Sequence, residues 1–283
     1  MHTVTTLADL RPATEALRAS GTLALVPTMG ALHEGHLALV REAREAADHV
    51  AVSIFVNPRQ FGANEDLDAY PRQLALDSAL LEVEGVGLLW APSPEEVYPQ
   101  GYATNISVAG VSEGLCGADR PGHFDGVATV VCKLFNQVRP DIAFFGEKDW
   151  QQLAVIRRMA RDLDLTLPHV EAIHGVPIVR EADGLAMSSR NAYLSADQRA
   201  TAAALPREMR AAIARLAAGD PAHSVLPALT GELLEAGFDS VDYAELRHGD
   251  NLAPTAGAAP GTRLFVAARI GGTRLIDNMP VVG

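Results

Sequence analysis

The stretch LALVPTMGALHEGHLALV, residues 23–40, constrains the fold more than any other part of the chain. Leu23, Ala24, Leu25 and Val26 form an unbroken apolar run, the pattern of a strand covered on both faces. Pro27 ends the run, because it has no N–H for a sheet ladder, and Gly30 permits a tight turn. From His36 onward, Leu37, Leu39 and Val40 alternate with Arg41, Glu42 and Arg44 as in an amphipathic helix. The unit is strand, loop, helix, with two histidines three residues apart where the helix begins. Gly35 between them leaves room for a ligand to approach the backbone. A helix N-terminus attracts anions, and His33 and His36 face one side of its first turn, so the pair reads as a triphosphate cradle. It reads equally as a helix cap or a crevice filler, and the rest of the chain must decide.

The pattern continues as alternating strands and helices. It predicts a helix over 6–19, a strand over 50–56, a helix over 71–84 and strands over 86–90 and 104–108. A glycine-rich loop with Arg120, His123 and Asp125 follows over 114–127, then a helix over 128–138 and a strand over 141–145. A further helix carries Gln151 and Gln152, and a strand over 167–173 closes this half. Such alternation specifies an α/β fold, a Rossmann-like doubly wound parallel sheet. Ligands of such sheets bind at the carboxyl ends of the strands, which is where Gln60 and the run Gly146-Glu147-Lys148-Asp149 fall.

After residue 176 the texture changes. One long helix over 196–218, another over 226–236, strands over 241–246, 263–268 and 273–277, and a loop over 251–260 predict a smaller α+β domain. The expected division is 1–176 and 177–283. Met187-Ser188-Ser189-Arg190 sits at the joint, a usual place for a ligand cleft.

Charge narrows the partners. A net charge of −12 and a pI near 5.2 argue against nucleic acid and anionic membrane. No run approaches the roughly 20 apolar residues of a membrane span, and the first residues lack the basic-then-apolar order of a signal peptide. A cytoplasmic address is therefore expected, with Cys116 and Cys132 as reduced thiols.

Three further groups carry chemistry. Lys148 offers a point charge to phosphate, and Asp149 a ligand for Mg2+ or a ribose hydroxyl; the plainer reading is a solvated surface pair. Ser188, Ser189 and Arg190 read as a phosphate clamp or as a polar turn. Gln60 and Gln152 are neutral amides suited to a small polar acid, or simply exposed glutamines.

The runs PTMGALHEGH, FVNPRQF, RPGHFDGV, FFGEKDWQQL and GLAMSSRN, in this order, resemble the pantoate–β-alanine ligase family across nearly the whole chain. The His-x-Gly-His element alone indicates only the wider nucleotidylyltransferase superfamily. The resemblance implies ATP-dependent condensation of (R)-pantoate with β-alanine through a pantoyl adenylate, releasing pyrophosphate and then AMP. It also implies a homodimer whose smaller C-terminal domain acts as a lid. It makes His36, His33 and Lys148 catalytic, with His36 as proton donor. It assigns ATP to Met29, Gly30, Ala31, Leu32, His33, Glu34, Gly35 and His36, to Gly146, Glu147, Lys148 and Asp149, and to Val179, Met187, Ser188, Ser189 and Arg190. Gln60 and Gln152 bind pantoate in this scheme, and Gln60 also meets β-alanine. Mg2+ is expected to be held mainly by the ATP phosphates, with Asp149 as its protein ligand.

Overall fold

Leu23, Leu25, Ala51, Leu88 and Trp90 pack into one apolar layer, and Ala24, Val26, Val50, Val52 and Leu89 into another. Successive residues of a strand point to opposite faces, so this division marks a sheet covered on both sides. The computed structural model describes residues 1–62, 67–68 and 70–281. Its larger sheet is parallel throughout and contains β1 (His2–Val4), β2 (Leu23–Thr28), β3 (His49–Ile54), β4 (Leu88–Trp90), β5 (Ile142–Gly146) and β6 (Ile173–Val176). Their order is β1-β4-β3-β2-β5-β6. Helices α1 (Leu7–Ser20), α6 (His123–Val138) and α7 (Trp150–Asp162) cover one face, and α2 (Glu34–Ala46) and α3 (Leu74–Val83) the other. Two short helices, α4 (Pro94–Val97) and α5 (Leu115–Asp119), lie in the connections.

Because β2 lies between β3 and β5, the direction of winding reverses beside it. That switch opens a crevice at the carboxyl ends of the central strands. The Rossmann-like expectation holds, and the site follows from it.

The C-terminal part holds α8 (Ala196–Ala202), α9 (Ala204–Ala217), α10 (Ala222–Glu235) and an antiparallel sheet of β7 (Ser240–His248), β8 (Thr262–Ile270) and β9 (Thr273–Pro280). It has its own apolar core, including Leu205, Met209, Val225, Leu229, Leu264 and Val266. Charge joins it to the larger part. Arg274 Nε lies 3.0 Å from Asp119 on α5 and 2.7 Å from Asp242 on β7.

Several boundaries differ from the sequence reading. The helix expected over 196–218 is two helices, meeting at Ala203. Pro206 explains the break, since it has no N–H for the Ala202 carbonyl and its ring crowds that turn. Residues 104–108 form no strand; Ile106 N–H instead donates to Thr129 Oγ1 on α6 at 2.9 Å. Residues 167–172 form a turn ending in a 3-10 segment, and the strand occupies Ile173–Val176. The glycine-rich loop is partly helical, holding α5 and the first turn of α6. The helix expected over 226–236 starts four residues earlier, at Ala222. No helix among the described residues is long and apolar enough to cross a membrane.

Candidate active site

The helix-cap reading of the histidine pair holds, and the cap leaves the rings a second use. His33 is the N-cap of α2, its Nδ1 accepting from Gly35 N–H at 3.1 Å. His36 reaches back, its Nδ1 accepting from His33 N–H at 3.3 Å. These bonds cap the helix and leave both rings facing one cavity. A Cβ at position 35 would lie 2.9 Å from His33 Cε1, so a side chain there would force the ring aside. Burial, and then the Lys148 ammonium, holds the His33 pKa below the ordinary imidazole value, while Asp149 and Glu181 oppose the shift. Burial, and then His33, pushes His36 down to about 3. Both rings are therefore neutral near neutral pH. With Nδ1 of His36 an acceptor, its proton sits on Nε2.

The cavity, of ≈ 230 Å³, lies across the carboxyl ends of β2, β3, β5 and β6. Met29 and the histidines form one wall. Gln60 comes from the loop after β3, and Gly146, Lys148 and Asp149 from the end of β5 and the turn after it. Gln152 comes from α7, and Val179, Met187, Ser188, Ser189 and Arg190 from the hairpin after β6. A second space of ≈ 510 Å³ shares Lys148, Asp149, Gln152, Ser188 and Arg190 with it and runs toward the C-terminal sheet. Lys148 Nζ and Asp149 Oδ2 do approach to 3.7 Å, and both line the cavity, with the Asp149 side chain still about half exposed.

Gln60 is buried rather than exposed. Its Nε2 lies 3.0 Å from Met29 Sδ, and its Oε1 accepts from Asn57 Nδ2 at 3.0 Å. Asn57 is itself locked, its Nδ2 donating to Gly126 O at 3.1 Å and its Oδ1 accepting from Tyr98 OH at 2.8 Å. Gly126 lets α6 touch this turn: a Cβ there would lie 2.3 Å from Arg59 O. The clamp residues hang on a hairpin whose Met187 N–H donates to Val179 O at 3.0 Å. Ser188 Oγ then accepts from Arg190 N–H at 3.3 Å.

Five expected nucleotide contacts lie outside the cavity lining: Gly30, Ala31, Leu32, Glu34 and Glu147. Ala31 and Leu32 turn their N–H groups to the buried carboxylate of Asp77, both at 2.9 Å. The N–H groups of His36 and Leu37 go to His33 O. The loop thus offers a ligand fewer free amides than a bare helix N-terminus would. Glu34 is exposed and pairs with Arg41. Glu147 contributes its carbonyl, which accepts from Asn278 at 2.9 Å.

Sequence reasoning passed over Asp77, Asn57 and Asn278. Each had a signal: an aspartate inside the apolar run LALDSALL, an asparagine at a strand end, and a polar pair, Asp277-Asn278, interrupting an apolar strand.

Comparison with known proteins places this geometry in context. The family model for pantoate-β-alanine ligase matches residues 2–280. The pantothenate synthetase of Novosphingobium aromaticivorans is 68% identical over 283 residues, covering 99% of each chain. That of Sphingopyxis alaskensis is 58% identical, covering 99% of this chain and 100% of its own. The crystal structure of pantothenate synthetase from Thermus thermophilus superposes with a TM-score of 0.93 at 46% identity, covering 100% of both chains. That of pantoate-β-alanine ligase from Francisella tularensis, complexed with β-γ ATP and β-alanine, gives 0.84 at 32% identity, covering 100% of this chain and 99% of its own.

Proposed function

The chain belongs to the pantoate–β-alanine ligase family, and from that premise we propose how its own side chains carry the reaction. The enzyme condenses (R)-pantoate with β-alanine at the expense of ATP. A carboxylate oxygen is too poor a leaving group for amide formation in water, so it is first esterified. A pantoate carboxylate oxygen attacks the α-phosphorus, the bond to the bridging oxygen breaks, and pyrophosphate leaves. The amine nitrogen of β-alanine then attacks the acyl carbon, loses a proton and expels AMP.

The first step sets an anion against an anion, so catalysis rests on donors aimed at the phosphates. Neutral His33 and His36 donate through Nε2–H, and Lys148 supplies a full charge. Ser188, Ser189 and Arg190 close on the phosphates from the facing hairpin. With the cleft closed and water excluded, these donors would act at lower effective dielectric than in solution. Gln60 and Gln152 hold pantoate, and Gln60, fixed by Asn57, also meets β-alanine. Met29, Gly146, Val179 and Met187 line the nucleotide.

Among the described residues no three metal-binding side chains cluster. Mg2+ is held through substrate phosphates and one or two carboxylates, and Asp149 would supply the carboxylate here. The ion would offset charge on the triphosphate. We divide the chain at 176/177, the C-terminal part acting as the lid that excludes water from the adenylate. The family resemblance extends to a cytoplasmic homodimer, whose mass light scattering would read.

The observation that carries this assignment is the one cavity that both histidines, Lys148, the Ser-Ser-Arg segment and both glutamines line. The test follows pyrophosphate and AMP separately. Pyrophosphate is expected with ATP and pantoate alone, and AMP only once β-alanine is added. AMP release without the amine, or no pyrophosphate until it is present, would overturn the two-step path.

A further inference from the structure

We propose that Asn278, on β9 of the C-terminal sheet, is a positioning residue for Lys148. The inference deepens the assignment above and rests on it. Asn278 is 2% exposed. Its Nδ2 donates to the carbonyl oxygens of Glu147 at 2.9 Å and of Lys148 at 3.1 Å. Those carbonyls belong to the two peptide planes on either side of the Lys148 Cα. Holding both planes fixes the lysine's backbone angles, and with them the direction in which its side chain leaves the turn.

The carboxamide is itself held. Its Oδ1 accepts from Arg263 Nε at 2.9 Å. Its backbone N–H donates to Asp277 Oδ1 at 2.7 Å, and Asp277 receives both arms of Arg180 at 2.7 and 2.9 Å. Flipping the amide would set donors against Arg263 and an acceptor against carbonyls, so the orientation has one solution. A second grip comes from the same domain. The Arg263 guanidinium lies 3.6 Å from the Trp150 ring centroid, and Trp150 Nε1 donates to Gly249 O at 2.8 Å.

The turn needs such support. Glu147–Asp149 is a single 3-10 turn whose N-cap, Gly146, makes no side-chain hydrogen bond. A long flexible side chain reaches a defined point only from a defined root, and an error of about 1 Å in a reacting geometry can cost about 10²-fold in rate. The C-terminal sheet therefore sets where the ammonium stands as well as covering the cleft.

A mutant cycle on the intact protein tests this, reading single-turnover adenylate formation. Asn278→Asp keeps the acceptor for Arg263 but turns an oxygen on the two carbonyls; Asn278→Ser removes the amide without adding charge. Each is expected to slow the step by about 10²-fold in the wild-type background and by less than about threefold in Lys148→Ala, because the residue it positions is gone. KM for β-alanine is expected to hold. The same factor in both backgrounds, or a folded variant within about threefold of wild type, would overturn the proposal. So would failure of both variants to fold, judged by circular dichroism, since Asn278 would then be a determinant of the fold. If Lys148→Ala alone turned over normally, the role of Lys148 would fall, and this proposal with it.

Discussion

His36 Nδ1 accepts the backbone N–H of His33 at 3.3 Å, and the two imidazole centroids stand 4.1 Å apart. The bond commits the inner nitrogen of His36 to the helix cap and leaves its Nε2–H as the donor. The protein around the ring then keeps it neutral.

That neutrality has a pH consequence with a definite sign. The folded-state pKa of His36 lies at about 3, below the unfolded value of 6.5. Between those values the unfolded chain binds more protons, so stability falls as the pH drops through this window and is fully present above it. Urea midpoints at pH 7.5 and pH 5 are expected to show this loss, and His36→Gln to flatten it. An identical pH slope in the variant would contradict the assignment. In the free enzyme, kcat/KM for ATP is expected to show no fall as pH rises from about 6 to 8, because the donor is already neutral.

Asp77 takes the N–H groups of Ala31 and Leu32, two residues that the family resemblance assigned to ATP. Asp77→Asn offers one acceptor and turns an N–H on the other donor. It is expected to destabilise the fold by about 1–3 kcal/mol and to raise KM for ATP, read by denaturant titration and initial rates. Wild-type values of both would refute the role given to Asp77.

Gly126 admits the turn that carries Gln60. Gly126→Ala forces a contact with Arg59 O and is expected to cost about 1–3 kcal/mol. KM for pantoate should rise more than KM for ATP, because Gln60 moves and the histidines do not. Equal increases in both would show that the turn does not act through Gln60.

Gln152→Ala is expected to raise KM for pantoate about tenfold, the loss of one hydrogen bond to a carboxylate. An unchanged pantoate KM would remove Gln152 from that site.

How far the sequence carried this account depended on whether the cause was local. The strand-loop-helix at 23–40 was legible because its apolar run, Gly30 and helical spacing act on near neighbours; Pro27 misled, since β2 runs through it to Thr28, paired with Ser53 and Ile54 of β3. His33, His36, Lys148, Gln152 and Ser188 could be placed because each follows a strand end or opens a turn. What stayed hidden involves partners far along the chain. Asp77 meets Ala31 and Leu32 from 46 and 45 residues away, and Asn278 meets Lys148 from 130. Gly126 looked like a loop residue because its purpose, contact with Arg59, is tertiary. The break at Ala203 was readable from Pro206, but the alanine-rich helical pattern around it masked the signal.

The central claim is that neutral His36 and charged Lys148 act together on the triphosphate during adenylate formation. Single-turnover measurement of pyrophosphate release from ATP and pantoate, comparing wild type with His36→Ala and Lys148→Ala, tests it most directly. A fall of about 10²–10³-fold is expected for each, the loss typical of one transition-state donor, with the variants folded as wild type. Release within a few-fold of wild type in either folded variant would contradict the account.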